Sequence, residues 1–90
     1  MKFTNSVLKK VENIFEENGY TVRYEKGNFN PDYCLLEQKK IVIINKYFDT
    51  EAKVNSLLSI LSKIRIDKSV MQEETNAFYD KLSQLKLKFE

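Results

Sequence analysis

Ile41-Val42-Ile43-Ile44 is the stretch that most narrows what this chain can fold into. Four β-branched residues bounded by Lys39-Lys40 and Asn45-Lys46 are too few for a helix and read as a strand. A strand shows alternate side chains to opposite faces, so one that is apolar on both must run centrally or be covered on both sides. Its partners are nearby. YCLLEQ at 33–38 reads as a strand, and Gln38-Lys39 is a polar two-residue step between it and the strand at 40–46. YTVRYEK at 20–26 alternates Tyr20, Val22 and Tyr24 with Thr21, Arg23 and Glu25, the pattern of a half-buried strand. GNFNP at 27–31 separates the two as a loop or wide turn.

Helices flank the strands. Val7, Leu8, Val11, Ile14 and Phe15 recur at helical spacing over 7–18, with Thr4, Asn5 or Ser6 as the cap and Gly19 at the C-terminal stop. Asp49 or Thr50 caps a second helix, with a stripe of Val54, Leu57, Leu58, Leu61 and Ile64. Asp67-Lys68-Ser69 breaks it, and Ser69 with Gln72 fits a capping box opening a last helix to about residue 88. That helix carries Met71, Thr75, Phe78, Leu82, Leu85 and Phe89 at alternating four- and three-residue steps, as in a helix-packing seam. The expectation is one α+β domain over 1–90, ordered α-β-β-β-α-α, with a three-stranded antiparallel sheet and helices packed against it.

Composition then removes chemistries. There is no His and one Cys, so histidine-dependent triads, Cys–His pairs and imidazole zinc sites are out, and Cys34 has no internal disulfide partner. No Asp/Glu spacing fits a calcium loop, so no metal and no cofactor are expected. The 15 Lys and Arg against 13 Asp and Glu give a net charge of +2, split 8 to 7 before residue 51 and 7 to 6 after it. A nucleic-acid binder shows a basic face or stripe, which this even distribution does not make. Apolar runs of at most five residues cannot span a bilayer, and Asn5, Ser6 and two lysines interrupt any secretory core. A cytoplasmic protein is expected.

Three places invite a sharper reading. The loop Gly27-Asn28-Phe29-Asn30-Pro31 lines a pocket mouth or is plain turn chemistry. Asn45-Lys46 leaves an apolar strand for a helix, where a polar pair meets a ligand or caps the junction. Asn28, Phe29, Tyr33, Asn45 and Lys46 are therefore the candidate ligand-binding set. Cys34, beside Leu35 and Leu36, has the surroundings of a structural thiol, since a reactive one needs a nearby cation and access. Phe78, Leu82, Leu85 and Phe89 form the candidate interface of the last helix, which either covers the sheet or reaches a second chain. A small core makes a shared interface a natural supplement.

The segment from Tyr24 to Leu61 resembles a small bacterial family with no assigned activity. The shared pattern is a Gly-x-Phe loop, a Tyr-Cys strand, a strand ending Ile-Asn-Lys and a Leu-rich helix. More distantly, the strand-to-helix step is similar to small zinc metallopeptidase domains carrying His-Glu-x-x-His. The corresponding positions here read Leu58-Ser59-Ile60-Leu61-Ser62, which supply neither zinc ligand nor base. That resemblance implies an architecture and argues against the peptidase activity.

The function expected is a non-enzymatic protein-interaction module that binds a protein partner, a second copy in a homodimer included, and neither nucleic acid nor membrane. The alternative is a small-molecule-binding or enzymatic domain, with its pocket between the 27–33 loop and Asn45/Lys46.

Overall fold

A computed structural model describes residues 3–26 and 33–85, the side chains of Tyr33, Cys34, Leu35, Glu37 and Leu85 excepted. Helix α1 (Asn5–Glu17) starts where the Thr4 hydroxyl accepts the Val7 N–H at 3.3 Å, and it ends at Gly19, whose φ of 87° is the left-handed stop its sequence called for. Strands β1 (Thr21–Glu25), β2 (Tyr33–Leu36) and β3 (Ile41–Asn45) follow. Then come α2 (Thr50–Leu61), capped by the Asp49 carboxylate accepting the Ala52 N–H at 2.8 Å, and α3 (Glu73–Leu85).

The sheet is mixed, which corrects the antiparallel sheet expected from sequence. Its strand order is β1-β3-β2: β1 runs parallel to β3 from Thr21↔Ile41 to Glu25↔Asn45, and β2 runs antiparallel to β3 from Tyr33↔Ile44 to Leu36↔Ile41. The reason lies in the apolar run itself. A meander would put β2 in the middle and make every neighbour antiparallel. The strand that must be central is β3, because Ile41–Ile44 is apolar on both faces. Two chain reversals then separate β1 from β3, and two reversals restore the original direction.

Boundaries also differ, and α2 ends at Leu61, so Ile64 of its expected stripe lies beyond the helix. Strand β2 ends at Leu36, not 38, and a 3₁₀ turn over Glu37–Lys39 leads to Lys40 with φ 54°. The connection is therefore longer than a two-residue step, and a lysine stands where glycine or asparagine is usual. The start of α3 differs more. Ser69 does not cap it: Ser69 lies in a 3₁₀ turn (Lys68–Val70), its N–H and hydroxyl both donating to Asp67 at 2.9 and 2.6 Å. The helix start is held from outside, by Glu17 of α1.

One core joins the elements. Val42 and Ile44 of β3, Val11, Ile14 and Phe15 of α1, Val54, Leu57 and Ile60 of α2 and Leu82 of α3 are all fully buried. Tyr20 meets Phe15 edge-to-face, with centroids 6.1 Å apart. Burial on this scale makes each large-to-small change at these sites cost about 2–5 kcal/mol. No helix among the described residues is long and apolar enough to cross a membrane.

Candidate functional site

At the end of β3 the polar pair Asn45-Lys46 is built into a turn. The Asn45 side-chain oxygen accepts the Tyr47 N–H at 2.9 Å, and its carbonyl accepts the Phe48 N–H at 3.2 Å. This local bonding is what asparagine does at a turn, and it hands the chain to the Asp49 cap of α2. The Lys46 N–H continues the parallel ladder to the Glu25 carbonyl at 3.1 Å, while its ammonium lies 5.3 Å from the Tyr47 ring centroid. Of the other ligand candidates, Tyr33 pairs through its backbone with Ile44, one position before Asn45. Asn28 and Phe29 lie outside the described residues.

The candidate interface residues divide. Leu82 is fully buried in the core and is not a surface group. Phe78 is half-buried at the α1–α3 seam, with the Lys10 ammonium 5.7 Å from its ring centroid. The Leu85 side chain and Phe89 lie outside the described residues. Among the described residues no group of three or more Cys, Asp or Glu could hold a metal ion.

Beneath α1 sits a polar cluster that sequence reading passed over. The Tyr24 hydroxyl donates to the Glu12 carboxylate, and Lys53 of α2 lies 4.9 Å from the Tyr24 ring centroid. Burial raises the Tyr24 hydroxyl well above the usual tyrosine range, and the hydrogen bond to Glu12 and the charges of Glu12 and Glu16 push it further the same way. The cluster ties α1, β1 and α2 together. It holds a tyrosine as a neutral donor rather than preparing it to ionise.

The two faces of the sheet are unequal. The core and its half-buried surround include Val22, Tyr24, Val42 and Ile44 but neither Ile41 nor Ile43. Among the described residues, then, the helices pack on one face only. The other face carries half-buried Ile41 and Ile43 on the central strand, with Leu36 39% exposed beside Ile41. Thr21, Arg23 and Glu25 line its β1 edge, and Arg23 pairs with Glu25 along the strand. The alternation in 20–26 already marked Thr21, Arg23 and Glu25 as one face. What was missing was which strand lies beside them.

Among the described residues a groove of about 430 Å³ opens between α1 and α3 and another of about 560 Å³ between the end of α1, Lys40 and the 65–70 segment. In the second, Lys40 lies 5.6 Å from the ring centroid of Tyr20, and the Asp67 N–H donates to the Asn18 side chain at 2.7 Å. Comparison with protein-family models, with characterised proteins and with solved structures finds no match for the chain.

Proposed function

We propose that this chain is a protein-interaction module whose contact surface is the sheet face that no described helix covers, and that its partner is a second copy of itself. The observation that carries the reading is Ile41, Ile43 and Leu36 in a row on a face that no described helix covers. Charge supplies the argument for a second copy. Arg23 and Glu25 are two positions apart on β1 and point to this face. A two-fold axis running across the strands stacks β1 antiparallel on its own copy. With that axis at the level of Tyr24, Arg23 of each copy faces Glu25 of the other and Ile43 faces Asn45, with Ile41 and Leu36 toward the rim of a self-complementary contact. The helices then lie on the outside of the pair and do not obstruct it.

The size of the face fixes the strength. Three strands about 4.8 Å apart and five residues of about 3.3 Å each give roughly 250 Å² per copy. A stable dimer buries about 800 Å² per partner, so the association is weak and concentration-dependent. A cytoplasmic setting fits a chain whose single cysteine has no disulfide partner.

Sedimentation velocity over a concentration series tests this. The expected result is a weight-average mass that climbs toward two chains as concentration rises into the high micromolar range. Ile43→Asp should abolish the climb, while Ile43→Thr keeps both fold and association. Arg23→Glu should weaken association, and adding Glu25→Arg should restore it, because the swap rebuilds the complementarity. A monomer at every concentration, or association indifferent to Ile43→Asp, would refute the reading.

A further inference from the structure

The groove of about 430 Å³ lies between two antiparallel helices. Glu17 at the end of α1 meets Gln72 and Thr75 at the start of α3, and Lys10, two turns earlier on α1, meets Phe78 one turn later on α3. A volume of this order suits a small molecule. The two ends of the groove differ in what they offer.

At the Glu17 end the polar groups are already satisfied. One carboxylate oxygen accepts the Gln72 N–H and the other the Thr75 hydroxyl, both at 2.8 Å. Glu74, exposed on the first turn of α3, adds a negative rim there. At the other end no carboxylate is engaged among the described residues. Among the described residues the ammonium groups of Lys10 and Lys81 have no carboxylate partner, and the half-buried Asn13 amide makes no hydrogen bond. Phe78 provides an aromatic wall between them, with Lys10 over its ring at 5.7 Å.

Two cations without a carboxylate partner among the described residues, an amide donor and a half-buried aromatic wall ask for one kind of ligand. We propose that this end of the groove binds a small aromatic carboxylate, its ring against Phe78 and its carboxylate between Lys10 and Lys81 with the Asn13 amide donating to it. The apolar wall favours a ligand with a ring over a bare inorganic anion. Two lysines hold charge as separate point cations rather than as a planar fork, which suits a single carboxylate more than a dianion. Glu74 and Glu17 at the far end orient it, because a carboxylate placed there would meet like charge. This site lies on the helix side of the sheet and does not depend on the self-association proposed above.

Titration of the ¹⁵N-labelled chain with phenylacetate, followed by amide chemical shifts, tests the site, with phenylacetamide as the neutral isostere. The expected outcome is shifts confined to residues 10–17 and 72–81, with half-saturation near about 1 mM, as an open groove and one ion cluster allow. Phenylacetamide, and phenylacetate on the Lys10→Gln/Lys81→Gln variant, should bind at least about tenfold more weakly. Both lysines are exposed, so the variant keeps the fold, and its unperturbed spectrum verifies that. The same titration on Ile43→Asp should give unchanged binding, which separates this site from the sheet face. No shifts at about 10 mM ligand, equal binding of the neutral amide, or shifts centred on the Lys40–Val70 groove would each overturn the proposal.

Discussion

Glu17, the last residue of α1, accepts the Thr75 hydroxyl of α3 at 2.8 Å while its other oxygen takes the Gln72 N–H at the same distance. One helix thus caps another that begins 56 positions later. The first turn of α3 holds Glu73 and Glu74, and the Gln72 N–H at its start is satisfied by this contact. Thr75 is buried, and removing its acceptor leaves a hydroxyl without a partner. Glu17→Ala should therefore cost about 1–2 kcal/mol in chemical unfolding. Glu17→Gln, which keeps one acceptor oxygen, should cost less. Hydrogen exchange should speed up first in the leading turn of α3; equal acceleration throughout the chain would mean the contact does not specifically anchor that helix.

The same contact shows where sequence reading reaches its limit. Ser69 and Gln72 satisfy the local rule for a capping box, yet the acceptor came from a residue more than fifty positions away, and no local pattern encodes that. The stripes of α1 and α2 were legible because burial follows a 3.6-residue period, and all of Val11, Ile14, Phe15, Val54, Leu57, Leu58 and Leu61 are in the core. The central place of β3 was legible from Ile41–Ile44. The direction of β1 was not, since it depends on which edge β2 takes. Leu82 sits in the expected stripe, but spacing alone does not distinguish a core stripe from an interface stripe. The α1–α3 groove was hidden for a related reason. Lys10, Asn13 and Glu17 are readable as one polar face of a helix, and only the tertiary packing brings Phe78 and Lys81 alongside it.

Tyr24 makes stability depend on alkaline pH. In the unfolded chain its hydroxyl ionises near the ordinary value of 10.0, whereas in the folded chain burial and Glu12 keep it protonated beyond that point. Above pH 10 the folded state therefore holds a proton that the unfolded state has lost, and stability must fall as pH rises. Below pH 10 both states carry the proton, and the contribution is fully present. Tyr24 is half-exposed, so the slope is a fraction of the one-proton limit of about 1.4 kcal/mol per pH unit. Tyr24→Phe should be less stable than the wild type at pH 8, by about 1 kcal/mol for the lost hydrogen bond. Urea melts from pH 8 to 11.5 should show that gap narrowing above pH 10. A gap that stays constant would mean that Tyr24 ionises alike in both states.

Gly19 isolates the cost of a left-handed backbone from the cost of a clash. Its φ is 87°, and a Cβ built there meets only the Lys40 side chain, at 3.7 and 3.8 Å, which is ordinary contact with a flexible group. Space is therefore not the constraint. What an L-residue meets at this position is the local repulsion between its own Cβ and the backbone, about 1–2 kcal/mol, partly offset by the smaller entropy of the unfolded chain. The turn has to keep this geometry because the Gly19 N–H closes α1 on the Glu16 carbonyl at 3.0 Å and the Tyr20 N–H reaches Phe15 at 2.9 Å. Those bonds set Tyr20 against Phe15 and aim the chain into β1. Gly19→Ala should lower stability by about 1 kcal/mol, and Gly19→Asn by less, since asparagine tolerates the left-handed region. D-alanine introduced at 19 by peptide ligation should match or exceed the wild type, because its mirror geometry fits a positive φ. If D-alanine proved as costly as L-alanine, the left-handed backbone would not be the source of the penalty.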